Sequence, residues 1–482
     1  MSGIFGVVSK DDCRQDLFYG TDYHSHLGTQ FAGLAVWDKE PVRKIHDISS
    51  SQFKAKFAPE YHLFKGTRGI GVISAKDEQP LFINSRFGPL AIVTNGWIDN
   101  ADELVSELYR EGVSFSEVTD GKVNMTELSA KMIISGKSIV DGIEKLFSRI
   151  EGSCSLLVLN SEGVYAARDR GGYSSLAVGQ KEGSWAVAAE TAAFLNLGYK
   201  VLKFLEPGEI VLLTGEGPQL KRKGSSANQI CSFLWIYTGF PASSYEGINT
   251  EVVRERSGQL LAKGDTIKAD LAAGVPDSGV AHAIGYAMGA GIPYRRVLVK
   301  YTPGFGRSYT PPSQQTRDLV ARMKLIPIPE IINGRRVVIC DDSIVRGTQL
   351  KNFTITKLRE CGAKGIHVRI ACPPLMFPCK FNYSTRSIHE LAARKAIRQL
   401  EGKDVADVSA YIDEGSEKHA QMVEWIRKDL DVTSLRYQKI DDMVQAIGLP
   451  KEKLCLFCWT GQCRAKGEVC KKRKNTAACS GS

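Results

Sequence analysis

The sequence has no run of 18 or more apolar residues, and this absence excludes an ordinary membrane-spanning helix. Its first residues show no basic segment followed by a short apolar segment, so we expect no secretory signal. Both absences predict a cytoplasmic protein. The chain does contain 12 cysteines, but in a cytoplasmic protein they do not indicate a disulfide framework.

A basic stripe interleaved with aromatic residues is also absent. The formal net charge is +10, and two short clusters, Lys221–Lys223 and Lys471–Lys474, contribute to it. Neither cluster alternates with aromatic side chains, so we expect a solvated loop and a basic tail rather than a nucleic-acid partner.

The length of 482 residues exceeds what one hydrophobic core usually organises, which predicts two or three domains. Residues 2–215 contain many short apolar runs bounded by Gly, Asn or Asp, and this pattern is typical of strands. Between them, Leu104 and Leu108 at helical spacing predict a helix between Asn100 and Gly112. The mixture predicts a layered α+β domain in which helices cover sheets.

The second part of the chain has a different rhythm. Residues 215–229 are rich in Gly, Ser and Lys, and we interpret them as a linker. Strand-like and helix-like segments alternate through residues 229–445, which predicts an α/β domain on a parallel sheet. Residues 446–482 are a cysteine-containing segment with a basic tail.

One stretch of this second domain, "VVICDDSIVRGT", suggests a binding site. The apolar run predicts a buried strand, so Asp341 and Asp342 lie at its carboxyl end, where open parallel sheets bind ligands. The small residues that follow can form a loop whose N–H groups surround a phosphate. Adjacent carboxylates beside a phosphate suit ribose hydroxyls and hydrated Mg²⁺. The pattern therefore favours a phosphorylated sugar with Mg²⁺ over a plain aspartate turn.

Two cysteines near the end of the chain, Cys455 and Cys458, have C-x-x-C spacing. By itself this spacing is weak, because it is compatible with a zinc site, a redox pair or no function.

The stretch "DDSIVRGT" resembles the phosphoribosyl-pyrophosphate (PRPP) motif of the amidophosphoribosyltransferase family. The resemblance continues in "GVPDSG", "GRSYTPPSQ", "GINTEVVRERSGQLLA", "IGYAMGAGIPY" and "PPLMFPCKFNYSTR", and it extends from Gly3 to Gln462.

The resemblance implies two domains and two activities. The first would be an N-terminal-nucleophile (Ntn) domain of the class II glutamine amidotransferase type, with αββα layers, that releases ammonia from glutamine. The second would be a type I phosphoribosyltransferase with a parallel sheet. It would add ammonia to PRPP, giving 5-phosphoribosylamine and pyrophosphate in purine biosynthesis. The resemblance also implies a homo-oligomer, dimeric or tetrameric.

The resemblance assigns residues to the parts of this second site. The Mg²⁺ and ribose contacts would be Ser278, Asp341 and Asp342. The 5′-phosphate loop would be Ser343, Ile344, Val345, Arg346, Gly347 and Thr348. The pyrophosphate would lie along Asp277, Ser278 and Gly279, with Arg307 reaching it from a closing loop.

Some family members hold a [4Fe–4S] cluster with four cysteines. The resemblance places Cys231, Cys379, Cys455 and Cys458 at the four ligand positions. Four thiolates suit such a cluster, and they also suit structural Zn²⁺.

The first domain departs from the family in its glutaminase site. Ser2 stands where the family has the nucleophilic cysteine, Ser74 where it has an arginine that pairs the substrate carboxylate, and Met125 where it has an aspartate that holds the amine. Asn95 and Gly96 of the oxyanion hole remain. A serine hydroxyl needs a strong base to act as nucleophile. We therefore expect a degenerate glutaminase site; the alternative is that other residues substitute and Ser2 works.

These observations predict a PRPP-dependent transferase that uses ammonia or another amine. The alternative is a non-catalytic PRPP sensor or scaffold that pairs with an active paralogue. Retention of Asp341, Asp342 and Arg307 favours catalysis, because a scaffold does not need them.

Overall fold

Two antiparallel sheets packed face to face make up the N-terminal domain in the computed structural model. The structure describes residues 2–38, 40–119, 121–226, 228–301, 323, 325–384 and 387–462. The seven-stranded sheet contains, in spatial order, Lys200–Phe204, Ala177–Lys181, Ser184–Ala188, Gly3–Ser9, Arg68–Ser74, Phe31–Trp37 and Pro41–Asp47. The six-stranded sheet contains Gly217–Arg222, Ile210–Thr214, Val164–Ala167, Gly152–Leu159, Gly88–Ile98 and Leu81–Ser85.

The alternation of side chains along each strand divides the core into layers. In the strand Gly3–Ser9, Ile4 and Val8 pack between the two sheets, whereas Phe5 and Val7 face the helices outside. This follows from the two-residue period of a strand.

Helices cover the outer face of each sheet. The seven-stranded sheet packs against Arg14–Asp22, Phe53–Phe57 and Ala192–Leu195. The six-stranded sheet packs against Ala101–Arg110, Met125–Ile134 and Ile139–Arg149. The predicted αββα layering is confirmed, and so is the helix that Leu104 and Leu108 bury against the core.

The sheet continues into the segment that the sequence suggested as a linker. The strand Gly217–Arg222 pairs antiparallel with Ile210–Thr214 as an edge strand. Its outer residues, such as Leu220 and Lys221, are exposed. A solvated edge strand and a linker share a polar composition, which explains the difference.

A four-stranded parallel sheet organises the second domain, as predicted. Its order is Leu271–Gly274, Arg336–Asp341, Gly365–Ile370 and Ser434–Tyr437. In its second strand, Val337 and Ile339 join the larger core, while Val338 and Cys340 face a second cluster on the opposite side. Burial on both faces produces the continuous apolar run of the sequence.

Further elements are found among the described residues; the 3₁₀-helix Ala58–Phe64 and the strand pair of Val118–Thr119 with Lys122–Val123 belong to the N-terminal domain, and the others to the second domain. The α-helices are Thr250–Ala262, Val280–Ala290, Pro329–Ile332, Thr356–Glu360, Ala392–Glu401, Ser409–Ile412, Glu417–Leu430, Ile440–Ile447 and Phe457–Thr460. Two segments are π-helical, Leu234–Thr238 and Leu350–Ile355, and three are 3₁₀-helical, Ala58–Phe64, Ile388–Glu390 and Lys451–Lys453. Short strand pairs join Val118–Thr119 with Lys122–Val123, Ile230–Cys231 with Leu454–Cys455, Ser244–Tyr245 with Ile248–Asn249, and Leu298–Lys300 with Leu325–Pro327.

The helices Thr250–Ala262 and Val280–Ala290 approach each other closely at glycines. A Cβ atom at Gly258 would lie 2.0 Å from the backbone oxygen of His282, and one at Gly285 would lie 1.9 Å from that of Glu255. Neither position accepts a side chain without moving a backbone, so these glycines fix the distance between the two helices.

Among the described residues, no helix is long and apolar enough to cross a membrane.

We predict that Gly258→Ala lowers the free energy of unfolding of the second domain by about 1–3 kcal/mol, because the added methyl group overpacks a backbone contact. Urea unfolding followed by tryptophan fluorescence measures the change. Gly215→Ala is the matched control, because a Cβ atom at Gly215 would have no other atom within 4 Å and little change is expected there. Equal stability of the Gly258 variant and the control would contradict this account of the helix pair.

Candidate functional site

Two loops meet at the carboxyl edge of the parallel sheet. Because Leu271–Gly274 and Arg336–Asp341 are adjacent parallel strands, the segments that follow them leave the sheet side by side. The N–H of Val275 donates to the carbonyl of Cys340 at 3.0 Å, which ties the first loop to the second strand. A Cβ at Gly279 would lie 2.3 Å from that same carbonyl, so only glycine fits there.

The two predicted aspartates lie at this edge. Asp342 is buried and Asp341 is half-buried. The N–H of Asp342 donates to Oδ1 of Asp341 at 3.0 Å, and the Ser343 hydroxyl donates to Oδ2 of Asp342 at 2.6 Å. Each carboxyl group is therefore held by the residue that follows it, Asp341 by a backbone N–H and Asp342 by a side-chain hydroxyl.

The electrostatics of this pair favour a positively charged ligand. Burial raises the pKa of Asp341, and the neighbouring Asp342 raises it further. Burial also raises the pKa of Asp342, whereas hydrogen bonds from Ser278 and Ser343 and the charge of Arg254 lower it. The structure thus brings together Ser278, Asp341 and Asp342, which the resemblance assigns to the Mg²⁺ and ribose contacts. A divalent cation or hydroxyl donors would relieve the repulsion between the carboxylates.

The second loop, Ser343 to Thr348, leads from the acidic pair to the helical segments Leu350–Ile355 and Thr356–Glu360. The buried side chain of Ile344 anchors it, and the carbonyl of Val345 accepts a hydrogen bond from the N–H of Ala392 at 2.7 Å. Gly347 has a φ of +80°. Arg346 is exposed and forms an ion pair with Glu390 at 2.8 Å. A loop before a helix start, fixed at two points, is suited to phosphate binding.

The sequence did not single out Lys300, which the structure places at this site. Its ammonium group is 2.6 Å from Oδ2 of the exposed Asp277 in the first loop. Lys300 is the last residue of a short strand. The sequence could have indicated it, because a cation directly follows the apolar residues of "VLVK". Arg307 and the proposed closing loop lie outside the described residues.

Arg254 is a second group that the sequence did not single out. It is 3% exposed, and it donates to the carbonyls of Trp235 at 2.8 Å and Gly239 at 2.8 Å. Its charge lowers the pKa of Asp342. No local pattern could identify it, because its partners come from a different segment.

The four cysteines singled out from the sequence come from three separate segments and lie together. Cys231 and Cys455 are directly opposite each other in a parallel strand pair. Hydrogen bonding with Cys379, burial, and the charges of Cys379, Cys455 and Cys231 raise the pKa of Cys458. The N–H groups of Phe381 and Asn382 donate to the sulfur of Cys379, each at 3.4 Å.

This donor set fits an iron–sulfur cluster, because four thiols with N–H donors to sulfur are the groups that such clusters use. The cysteines are half-buried beside a stacked aromatic pair, Tyr173 and Phe381, whose ring centres are 3.8 Å apart. Nevertheless, in the part of the chain that the structure describes, no three His, Cys, Asp or Glu side chains have the arrangement of a metal site.

In the N-terminal domain, the structure places Ser2 next to Asn95 and Ala75. The N–H of Ser2 donates to Oδ1 of Asn95 at 3.0 Å, and the Ser2 hydroxyl accepts from the N–H of Ala75 at 3.4 Å. Nδ2 of Asn95 is buried without a hydrogen-bond partner, so it remains available to a carbonyl oxygen. Ser74 is buried, and Met125 begins the helix Met125–Ile134.

Two charged residues that the sequence did not single out follow Ala75. Oδ2 of Asp77 accepts a hydrogen bond from the N–H of Met125 at 3.3 Å, and burial raises the pKa of Asp77. Nζ of Lys76 lies 3.9 Å from Oδ1 of Asp77 and 5.5 Å from the centre of the Trp97 ring. The two residues therefore carry opposite charges close to the start of the helix Met125–Ile134.

Comparisons with known proteins cover both domains. A glutamine amidotransferase domain family matches residues 67–196. The amidophosphoribosyltransferase of Methanocaldococcus jannaschii is 31% identical over 488 residues, which cover 96% of this chain and 97% of that protein. The amidophosphoribosyltransferase of Bacillus subtilis is 31% identical over 478 residues, which cover 95% of this chain and 93% of that protein.

Two solved structures superimpose over nearly the whole chain. One is the glutamine PRPP amidotransferase of B. subtilis complexed with ADP and GMP, with a TM-score of 0.82, 30% identity and 98% coverage of both chains. The other is described as the allosteric regulatory enzyme of purine biosynthesis, with a TM-score of 0.81, 30% identity and 95% coverage of both chains.

Proposed function

Because the chain belongs to the amidophosphoribosyltransferase family, we propose that it transfers the phosphoribosyl group of PRPP to ammonia or another amine and releases pyrophosphate. The observation that carries this proposal is the convergence of Ser278, Asp341 and Asp342 at one edge of the sheet, with a phosphate-type loop directly after them.

Each part of this edge has a role in the proposed reaction. Residues Ser343 to Thr348 bind the 5′-phosphate through backbone N–H groups, and the carboxylates of Asp341 and Asp342 bind the ribose hydroxyls. Asp277, Ser278 and Gly279 lie along the pyrophosphate. Lys300, which lies beside Asp277, offsets the negative charge of the pyrophosphate. The resemblance also assigns Arg307, which lies outside the described residues, to the pyrophosphate.

Mg²⁺ fits the same residues. Ser278, Asp341 and Asp342 would hold it together with substrate oxygens, since Mg²⁺ is usually bound by one or two carboxylates plus phosphates. When bound, it neutralises charge on the leaving pyrophosphate.

The non-catalytic alternative is less well supported. The relatives that match the whole chain carry the name of an enzyme, and the acidic pair that a scaffold would not need is present and buried. We therefore favour catalysis over a PRPP sensor that pairs with an active paralogue.

We further propose that the N-terminal domain has lost glutaminase activity. Ser2 has a hydroxyl in place of a thiol, and Ser74 and Met125 provide no charge for the carboxylate and amine of glutamine. Lys76 and Asp77 carry charges nearby, but neither occupies the position of the family's arginine or aspartate, which are Ser74 and Met125 here. Losing a charge-assisted contact costs about 1.5–3 kcal/mol of binding, so the loss of two makes glutamine a poor ligand.

We assign Cys231, Cys379, Cys455 and Cys458 to a [4Fe–4S] cluster. Its contribution would be structural, because it would connect the end of the chain to the start of the transferase domain. A homo-oligomeric assembly and a cytoplasmic location stay predictions.

The first prediction concerns the acidic pair. Asp341→Asn combined with Asp342→Asn should abolish Mg²⁺-dependent PRPP binding and leave the fold intact, because the side chains face the ligand edge. Isothermal titration calorimetry measures the binding. The control is Asp270→Asn, which changes a carboxylate at the opposite edge of the same sheet and should bind PRPP like the wild type. Wild-type affinity in the double variant would rule out this site.

The second prediction concerns the cysteines. Anaerobically purified protein should be brown and contain about four irons per chain. Cys458→Ser should lose the iron and lower the midpoint of thermal unfolding, whereas Cys361→Ser, which changes a half-buried thiol elsewhere, should keep both. Stoichiometric zinc without iron would contradict the cluster assignment.

The third prediction concerns the nitrogen source. Purified protein with Mg²⁺ and PRPP should release pyrophosphate when ammonia is added, and the rate should rise with pH as the fraction of free NH₃ rises. Glutamine alone should give no pyrophosphate and no glutamate, and Ser2→Cys should not restore either, because a thiol without a bound substrate gains little from proximity. Glutamate release by the wild type that disappears in Ser2→Ala would show that Ser2 is a working nucleophile.

A further inference from the structure

The carboxylate of Glu190 joins the two domains. It belongs to the N-terminal domain and is 2% exposed. Its Oε1 accepts a hydrogen bond from the hydroxyl of Tyr245 at 2.5 Å and contacts Nε2 of His26 at 3.1 Å. Its Oε2 accepts from the hydroxyl of Ser243 at 2.9 Å and from the N–H of Phe240 at 3.4 Å. Both oxygens are therefore committed to the transferase segment 240–245.

Residues next to Glu190 strengthen this joint. The N–H of Ser244 donates to the hydroxyl oxygen of Thr191 at 2.7 Å, and the N–H of Ala192 donates to that of Ser243 at 3.3 Å. Apart from these bonds, Arg168 and Glu246 form an ion pair at 2.9 Å that also crosses between the domains but bonds neither Phe240 nor Ser243. A buried carboxylate with several donors makes a strong contact, because a hydrogen bond to a charged acceptor is stronger than one between neutral groups.

The segment held by Glu190 is continuous with the groups that hold Arg254. Phe240 follows Gly239, whose carbonyl accepts from Arg254. Arg254 lies in the helix Thr250–Ala262, and Asn249, just after the held segment, caps that helix by accepting from the N–H of Val252 at 3.1 Å. Both the start of this helix and its buried arginine thus depend on the position of segment 239–249.

That helix in turn positions the first ligand loop. Gly258 packs directly on the backbone of His282 in the helix Val280–Ala290, which begins immediately after Asp277, Ser278 and Gly279. Because backbone meets backbone at this crossing, a shift of the first helix moves the second.

We propose that Glu190 is a positioning residue for the PRPP site: by holding segment 240–245 it sets the helix Thr250–Ala262, and through that helix the loop at Asp277 to Gly279. The inference rests on the proposed function, because it assigns an effect on PRPP. It gives the N-terminal domain a task that does not depend on glutamine hydrolysis.

Glu190→Gln tests the proposal, because an amide keeps the shape but in either orientation directs its NH₂ group at donors, either those of Ser243 and Phe240 or that of Tyr245. We expect PRPP binding by isothermal titration calorimetry to weaken about tenfold, a change of about 1.4 kcal/mol. In the ammonia-dependent reaction, the KM for PRPP should rise while the KM for ammonia stays unchanged. Tyr245→Phe removes one donor to the same carboxylate. It should weaken PRPP binding and raise the KM for PRPP, but each by a smaller factor than Glu190→Gln.

Glu246→Gln is the matched control, because it removes the other carboxylate that crosses the joint without touching Phe240 or Ser243. It should keep wild-type affinity for PRPP. Wild-type PRPP affinity in folded Glu190→Gln, or an equal loss in Glu246→Gln, would overturn the proposal. If Glu190→Gln does not fold, unchanged affinity in Tyr245→Phe overturns it instead. A wild type that binds no PRPP would overturn the proposed function itself, and the calorimetry separates this outcome from the others.

Discussion

Two carboxyl groups that follow one another at the end of a buried strand repel each other, and the structure around Asp341 and Asp342 is arranged to hold them. Burial raises the pKa of both, and Ser278, Ser343 and Arg254 lower that of Asp342. The sheet needs this strand for its core, so the carboxylates cannot move away from each other without disturbing Val337 to Cys340. A cationic or hydroxyl-rich ligand supplies what the protein leaves incomplete, which is why such a pair belongs at a binding site.

The sequence predicted those features that local patterns encode. Short apolar runs predicted the strands of a layered α+β domain, and strand–helix alternation predicted the parallel sheet, whereas the αββα order of layers came from the family resemblance. It also identified Asp341 and Asp342, since a strand end and a loop are local. It could not identify Arg254 or Glu190, whose partners come from other segments and include backbone atoms that carry no sequence signal. The edge strand Gly217–Arg222 looked like a linker because its exposed side chains are polar.

The cysteines also show that local spacing does not reveal which distant residues meet in the fold. Their spacing in "CLFC" was ambiguous, and only folding brings Cys231 and Cys379 to them. The fold also surrounds them with groups from both domains, because Tyr173 of the N-terminal domain stacks on Phe381 two residues after Cys379. A centre at this place would therefore fasten the end of the chain, the transferase domain and the N-terminal domain together.

Two of the contacts between the domains lie around Glu190 and around Tyr173, and neither of these uses the side chains of Ser2, Ser74 or Met125. Ser2 hydrogen-bonds to Asn95, whereas Glu190 and Thr191 contact the transferase segment 240–245. Under the proposed roles, glutamine hydrolysis and support of the PRPP site would depend on different residues. A domain that had lost glutaminase activity would then still be needed, because its removal would expose the segment 240–245, which directly precedes the helix Thr250–Ala262.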